Sequence, residues 1–344
     1  MSDRRTFIKQ VSGAGVVSVL PASMVSAVKP VDNKIWGALL HLSFNMWEEY
    51  ISPHRPFRGY RPFLRLSESL WNDALKRMAA AKLNLVIIDL GDGIKYRSHP
   101  EIAVEKAWSV ETLKQELKKM RDLGLEPIPK LNCSAGHDTW MKKYSRMVST
   151  DAYYSFCRDI IAEVVDIFDS PRFFHLGMDE ETAGAQSHYR YTVVRKDDLW
   201  WGDFYYLIGE VERHGVRPWI WSDYMWSNPE LFFKEMPKSV VQSNWYYGER
   251  FDGGLSESAK RAVDAYVDLE KGGYDQVPTG SFHDNNTRSI GNTVKFCQSH
   301  VNDGRLMGFL QTFWKPTIEE YRDLILKGID LAGEARKWYY NNPV

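Results

Sequence analysis

Residues 173–181 read Phe-Phe-His-Leu-Gly-Met-Asp-Glu-Glu, an apolar run that ends on three consecutive carboxylates. Adjacent carboxyl groups disfavour simultaneous ionisation, so one of them can keep its proton into the range where a general acid works. Such a pair suits chemistry in which one carboxyl donates and recovers a proton while its neighbour steadies charge on the substrate. Neighbouring strand residues point to opposite faces, so Asp179 and Glu180 can serve one site only if the strand stops there. The competing reading is a helix start, with acids in the first turn favoured by the helix dipole. Glu181 fits that description best.

An acid pair needs a scaffold. Short apolar runs at 35–42, 83–90, 126–131, 173–177, 217–221, 240–245, 276–282 and 306–313 read as strands. Helical patterns at 69–81, 110–123, 151–168, 198–214, 229–234, 256–272, 290–302 and 318–338 fill the gaps. This alternation implies parallel pairing through right-handed crossovers. No linker rich in Pro, Ser or Gly divides the chain, so the pattern predicts an α/β fold, a single (β/α)8 TIM barrel over residues 33–340. An open doubly wound sheet is the runner-up, but no G-x-G-x-x-G follows any strand.

Barrel enzymes work at the C-terminal ends of their strands. Those ends here carry His41 and Asn45, Asp89 and Asp92, Asn132 and His137, the 179–181 acids, Trp221 and Asp223, and Trp245, Tyr246 and Tyr247. The last two carry His283 with Asp284, and Trp314 with Lys315. Any one of these could be a cap, a turn former or a core ring. Together they predict a polar cleft with aromatic walls, in which His137, Trp221, Asp223, Trp245, Tyr246, Tyr247, Asp284 and Trp314 bind substrate. Strand alternation turns one of Tyr246 and Tyr247 into the cleft and the other outward.

His41, His137, His175 and His283 are isolated, with no His-x-His, so no metal or other cofactor is expected. With Asp89, Asp92 or Asp284 they still leave a metal-dependent sugar isomerase or epimerase open. No G-x-S-x-G marks a serine nucleophile. Carboxylates among aromatics are the equipment of glycoside hydrolysis. In an ordinary two-carboxylate mechanism Asp284 would be the nucleophile and Glu180 the acid/base. A catalytically silent glycan-binding barrel is the alternative from outside enzymology.

The 44 basic and 45 acidic residues leave a net charge of −1, which gives no footprint for nucleic acid. The 13 Trp and 18 Tyr supply flat faces with polar edges, on which a sugar ring stacks. Cys133, Cys157 and Cys297 show no C-x-x-C spacing and read as buried free thiols. Arg4-Arg5 precede a weakly apolar run over 11–25, and Val25-Ser26-Ala27 resembles a cleavage site. Residues 1–27 therefore read as a twin-arginine signal peptide. The expected partner is the twin-arginine export machinery, and the expected location is the periplasm or the exterior. No stable membrane insertion is expected after the signal is removed.

"HLGMDE", His175 to Glu180, resembles the H-x-G-G-D-E motif at the fourth barrel strand of the β-N-acetylhexosaminidases of glycoside hydrolase family 20. "IPKLNCSAGH", from Ile128, is similar to that family's third-strand I-P-E-x-D-x-P-G-H segment. The resemblance spans roughly residues 33–335. It implies a carbohydrate substrate, an oligosaccharide or glycoconjugate, with substrate-assisted hydrolysis of a 2-acetamido sugar. Asp179 would polarise the acetamido group and Glu180 would be the general acid/base. Trp221 to Asp223, Trp245 to Tyr247 and Trp314 fall where the family lines its cleft. The chain departs from the pattern at Met178, Lys130, Asn132 and Ala135, at Trp314-Lys315-Pro316, where Pro316 replaces the W-x-E acid, and in lacking a first-strand Arg at 43–45. These departures imply a remote relative with a different glycan preference, or a barrel that has lost activity.

Overall fold

A computed structural model describes residues 34–344, so the expected signal over 1–27 lies outside the described residues. The first half of the barrel runs β1 (Ile35–His41), α1 (Glu68–Ala80), β2 (Leu85–Asp89), α2 (Val110–Asp122), β3 (Glu126–Lys130), α3 (Asp151–Ile167) and β4 (Phe173–His175). The second half continues with α4 (Asp197–Arg213), β5 (Arg217–Trp221), α5 (Tyr224–Ser227), α6 (Pro229–Glu235), β6 (Val241–Ser243) and α7 (Glu257–Lys271). It closes with β7 (Thr279–Ser281), α8 (Ser289–His300), β8 (Gly308–Thr312) and α9 (Arg322–Asn341).

All strand pairs are parallel, in the order β6-β5-β4-β3-β2-β1-β8-β7. Isolated bridges Gln242–Gln276 and Trp245–Thr279 span the remaining gap between β6 and β7. The result is the eight-stranded (β/α)8 barrel expected from the alternation, with most strands shorter than their apolar runs, as in β7 (Thr279–Ser281) within the run 276–282.

Four of the helices begin where the sequence offers a side-chain oxygen to an unpaired backbone N–H. Ser67, Ser109, Thr150 and Ser256 each accept from the amide three residues on, at the starts of α1, α2, α3 and α7. Among the described residues no helix is long and apolar enough to cross a membrane. The three cysteines are free and buried.

The last residues of β1 to β4 lie in register across the sheet: His41 with Asp89, Asp89 with Lys130, Lys130 with His175. This puts a charged layer inside the barrel, directly under the mouth. The Lys130 ammonium lies 2.6 Å from Asp89 with neither exposed, and His41 Nδ1 lies 3.4 Å from the same carboxylate. Despite burial, which acts to raise it, Lys130 and His41 hold the Asp89 carboxyl down at about 2. Burial keeps His41 and His175 below their ordinary pKa, and His175 packs against Trp221 at 4.4 Å.

A buried ion pair adds little net stability but is costly to halve. Lys130→Met, close in volume, leaves Asp89 without its main partner and is expected to cost about 3–5 kcal/mol. Denaturant unfolding of the variant checks it. Lys130→Met with Asp89→Leu should recover most of the loss.

Candidate active site

β4 ends abruptly. Gly177, Met178 and Glu180 all take left-handed backbone, with φ of 71°, 71° and 52°. Residues with side chains adopt this region at about 1–3 kcal/mol each. The turn breaks strand alternation and brings Asp179 and Glu180 to the same mouth. Gly177 cannot be replaced here, because a Cβ would lie 2.2 Å from the Asn132 side-chain oxygen.

The loop after β3 supports the pair. Asn132 Nδ2 donates to Asp179 Oδ1 at 2.8 Å, and Ser134 Oγ donates to the Asp179 carbonyl at 2.5 Å. His137 is buried between the two acids, Nδ1 3.7 Å from Asp179 and Nε2 3.6 Å from Glu180. Trp47 meets the His137 ring edge-on at 4.6 Å. Asp179 is nearly buried, whereas the Glu180 side chain is 43% exposed. That contrast separates a fixed carboxylate from one open to solvent and ligand.

Glu181 has a different role. No helix starts at 180; the next helix, α4, begins at Asp197. Glu181 instead binds Arg195 at 2.5 Å and the Ala135 amide at 3.0 Å, while Arg195 also pairs with buried Asp203 at 2.9 Å. The helix-start reading of Glu181 is thus replaced by an ion-pair network that clamps the loop after β4.

Glu180 stands where two chambers meet. The smaller, about 200 Å³, has Asp179 and Glu180 on one side and Trp245, Tyr247, His283 and Trp314 around them, with Trp47 and Arg58 at its edge. The larger, about 980 Å³, shares Trp47, Arg58, Glu180 and Trp245, then widens past Trp226, Asp223 and Met178. Trp314 Nε1 donates to the Tyr247 hydroxyl at 3.0 Å, and Tyr247 stacks on Trp245 at 5.1 Å.

The other expected residues divide. Tyr247 lines the small chamber while Tyr246 packs edge-on against Phe251. Trp221 lies under the site, buried against His175 and Trp314, and touches neither chamber. Asp284 is 76% exposed, paired with His283 at 2.8 Å and outside both chambers. Trp47, Arg58 and Trp226 line the site without having been singled out in the sequence. Trp226 at least follows the fifth strand end closely, whereas Trp47 and Arg58 come from the long segment after β1.

Asp223 accepts the Glu180 backbone N–H at 2.9 Å through Oδ2, and its Oδ1 has no partner. Loss of solvent, then the Asp179 and Glu180 carboxylates, push its pKa up to about 8. Beside β2, burial lifts fully enclosed Asp92 to about 7 against hydrogen bonds from Ser43 and Asn45. Both acids bind protons more tightly folded than unfolded. Their contribution to stability is therefore complete below about pH 4 and is lost as pH rises through 7 to 8. For Asp92 the shift corresponds to on the order of 4 kcal/mol. Thermal midpoints measured from pH 4.5 to 8.5 should fall, and Asp92→Asn should flatten much of that slope.

No family model matches the sequence, and no curated protein matches it either. Among solved structures the chain superposes on the family 20 exo-β-N-acetylglucosaminidase of Vibrio harveyi in complex with N-acetylglucosamine, at TM-score 0.57 and 14% identity. It superposes equally on the family 20 β-N-acetylhexosaminidase of Streptomyces coelicolor A3(2), at TM-score 0.57 and 12% identity. These alignments cover 88% and 87% of this chain but only 54% and 64% of the two enzymes. Dispersin B aligns at TM-score 0.55 and 14% identity, over 88% of this chain and 98% of its own. The likeness is one of fold: the barrel is built like those of glycoside hydrolase family 20.

Proposed function

We propose that the protein is a glycoside hydrolase that cleaves 2-acetamido sugars from their O-linked partners with retention of configuration. The observation that carries this reading is the unequal pair of acids, Asp179 fixed by Asn132 and Glu180 open at the junction of two chambers. The fold likeness to family 20 barrels supports it, as does the family-like run His175 to Glu180.

The small chamber has room for one sugar ring, with Trp245, Tyr247 and Trp314 as its aromatic walls. The acetamido oxygen attacks the anomeric carbon as the bond to the leaving oxygen breaks, and Glu180 gives that oxygen its proton. Asp179, held through Oδ1, offers its other oxygen to the acetamido N–H and balances the positive charge of the oxazolinium. The Tyr247 hydroxyl accepts from Trp314 and can turn its own proton to the acetamido oxygen. Glu180, now a carboxylate, removes a proton from water, whose oxygen attacks the anomeric carbon and reopens the oxazolinium ring. His137 positions both acids through its two nitrogens.

A second reading rests on one observation. His137, Asp179 and Glu180 bring one donor atom each within 4.8 Å of one another, which suits a divalent cation and a sugar isomerase or epimerase. Hydrolysis of aryl 2-acetamido glycosides and their 2-hydroxy counterparts, with and without chelator, separates these readings. Turnover of the 2-acetamido sugar alone, indifferent to chelator, is the expected result. Activity that chelator abolishes favours the metal. Glycan binding without any turnover leaves a silent barrel. The twin-arginine signal and export to the periplasm or exterior remain part of the proposal, tested by where a tagged chain accumulates when both Arg4 and Arg5 are changed to Lys.

A further inference from the structure

The segment after β1 reads Ser52-Pro-His-Arg-Pro-Phe-Arg-Gly-Tyr-Arg-Pro-Phe-Leu-Arg65, with four arginines in one loop. Two of them serve the loop itself. Arg61 donates to the carbonyls of Pro56, Gly59 and Tyr60, and Arg65 to that of Phe57. Arg55 and Arg58 do neither. Among the described residues, no hydrogen bond or ion pair reaches either guanidinium, and the Arg58 Nε is buried without a partner. The Arg58 guanidinium carbon lies over the Trp47 ring at 4.4 Å, on the wall common to both chambers and beside Glu180.

A buried donor left unpaired is costly, and a guanidinium offers five of them in a planar fork. Arg58 is held below its ordinary pKa first by burial and then by Arg55. Lys315, stacked on Phe57 of the same loop at 4.1 Å, is likewise lowered by burial and by Arg58 and Arg55, with Asp284 opposing. Glu180, Glu48 and Asp284 act against the lowering of Arg58 without outweighing its burial. None of the acids nearby is paired with Arg55 or Arg58: Glu181 is committed to Arg195, Asp223 to the Glu180 amide, and among the described residues no ion pair joins Glu48, Glu180 or Asp284 to either guanidinium. Arg55, His54, His188 and Lys196 line the large chamber only. Glu48 and Asp197 line it too, but among the described residues neither forms an ion pair with Arg55 or Arg58, so both guanidiniums keep their donors for a ligand on that side.

We infer that the large chamber receives an anionic group carried by the sugar on the leaving side of the scissile bond, bound by Arg58 and Arg55. A carboxylate and a sulfate ester share the planar or near-planar oxygen pair that a guanidinium grips through two hydrogen bonds. The inference rests on the glycosidase reading for the meaning of the two sides, but the anion-binding surface itself does not depend on catalysis.

The test uses three β-linked 2-acetamido disaccharides, on glucose, on glucuronate and on glucose 6-sulfate. Their binding is measured by calorimetry to the full chain carrying Glu180→Gln, alone and combined with Arg58→Gln or Arg55→Gln. At least one anionic disaccharide is expected to bind about tenfold or more tightly than the neutral one, with a preference that weakens in salt. Each arginine change should shrink that preference; Arg55 is exposed, so its variant folds even if the Arg58 variant does not. The carboxylate and sulfate arms identify the anion. Equal affinity for all three, or a preference untouched by both changes, overturns the inference. Wild-type hydrolysis of an uncharged aryl 2-acetamido glycoside is run in parallel. Turnover there with no anion preference sinks this inference alone, whereas arginine-dependent preference without any turnover keeps it and sinks the glycosidase.

Discussion

Glu180→Gln is expected to lower kcat on a 2-acetamido disaccharide about 10³-fold, within the ~10²–10⁴ that a positioned acid/base contributes. The substitution keeps size, and the backbone N–H of residue 180 still reaches Asp223. What it removes is a proton for the departing oxygen. The loss should therefore depend on the leaving group: a sugar alkoxide needs that proton, while a nitrophenolate leaves almost unaided. Stability should change little, because the Glu180 side chain is 43% exposed and its contact with His137 is a long one, 3.6 Å. Kinetics on the disaccharide and on its nitrophenyl analogue, with thermal midpoints alongside, check all three points. An equal loss on both substrates would place the defect in the later step, where residue 180 takes the proton from water, rather than in protonation of the leaving oxygen.

The loop after β1 illustrates where sequence patterns stop. Strand alternation and the apolar runs define the barrel, since each run must be buried on both faces by its neighbours. The same logic brings the strand-end acids to one mouth, and it separates Tyr247 from Tyr246. It does not extend to Trp47 and Arg58, which lie 6 and 17 residues beyond the end of β1, where no period constrains the path. Their place in the cleft depends on long-range contacts: Asn45 bonds the Arg61 amide, and Arg61 and Arg65 fold the segment back on its own carbonyls. Trp221 fails in the opposite way. It stands at a strand end yet points into the barrel, where His175 and Trp314 enclose it, because a residue inside the final layer is core rather than wall. Position along a strand is legible; which side of the last turn a side chain leaves from is not. Met178 and Glu180 show why. Both take left-handed backbone that the β pattern does not anticipate, and that departure from alternation is what turns the acids to one side.

Asp179→Asn should be nearly as damaging as the loss of the acid, at about 10²–10³-fold in kcat, the usual effect of removing a group that stabilises charge in the transition state. The geometry makes the loss selective. Asp179 is pinned through Oδ1 by Asn132, so only its second oxygen is free to take the acetamido N–H. A neutral amide in that place can still bond but cannot balance a positive oxazolinium. Substrates whose acetamido oxygen is a weaker nucleophile, such as the mono-, di- and trifluoroacetamido series, should slow progressively in the wild type. That sensitivity follows from the sugar's own oxygen forming the new bond. If an enzyme carboxylate such as Asp284 were the nucleophile, fluorination would matter little and Asp284 would have to reach the anomeric carbon from its exposed position beside His283. A further consequence separates charge from shape. The Asp179 carboxylate is the largest like-charge influence on Asp223, so neutralising it should draw the Asp223 pKa down from about 8. The loss of stability tied to Asp223 should then be smaller and end at lower pH, since its onset near pH 4 is set by the unfolded chain. Asp179→Asn in an Asp92→Asn background isolates that change in the thermal midpoints. A profile that does not move would mean that burial alone sets Asp223, and that the two carboxylates do not share one field at the mouth of the barrel.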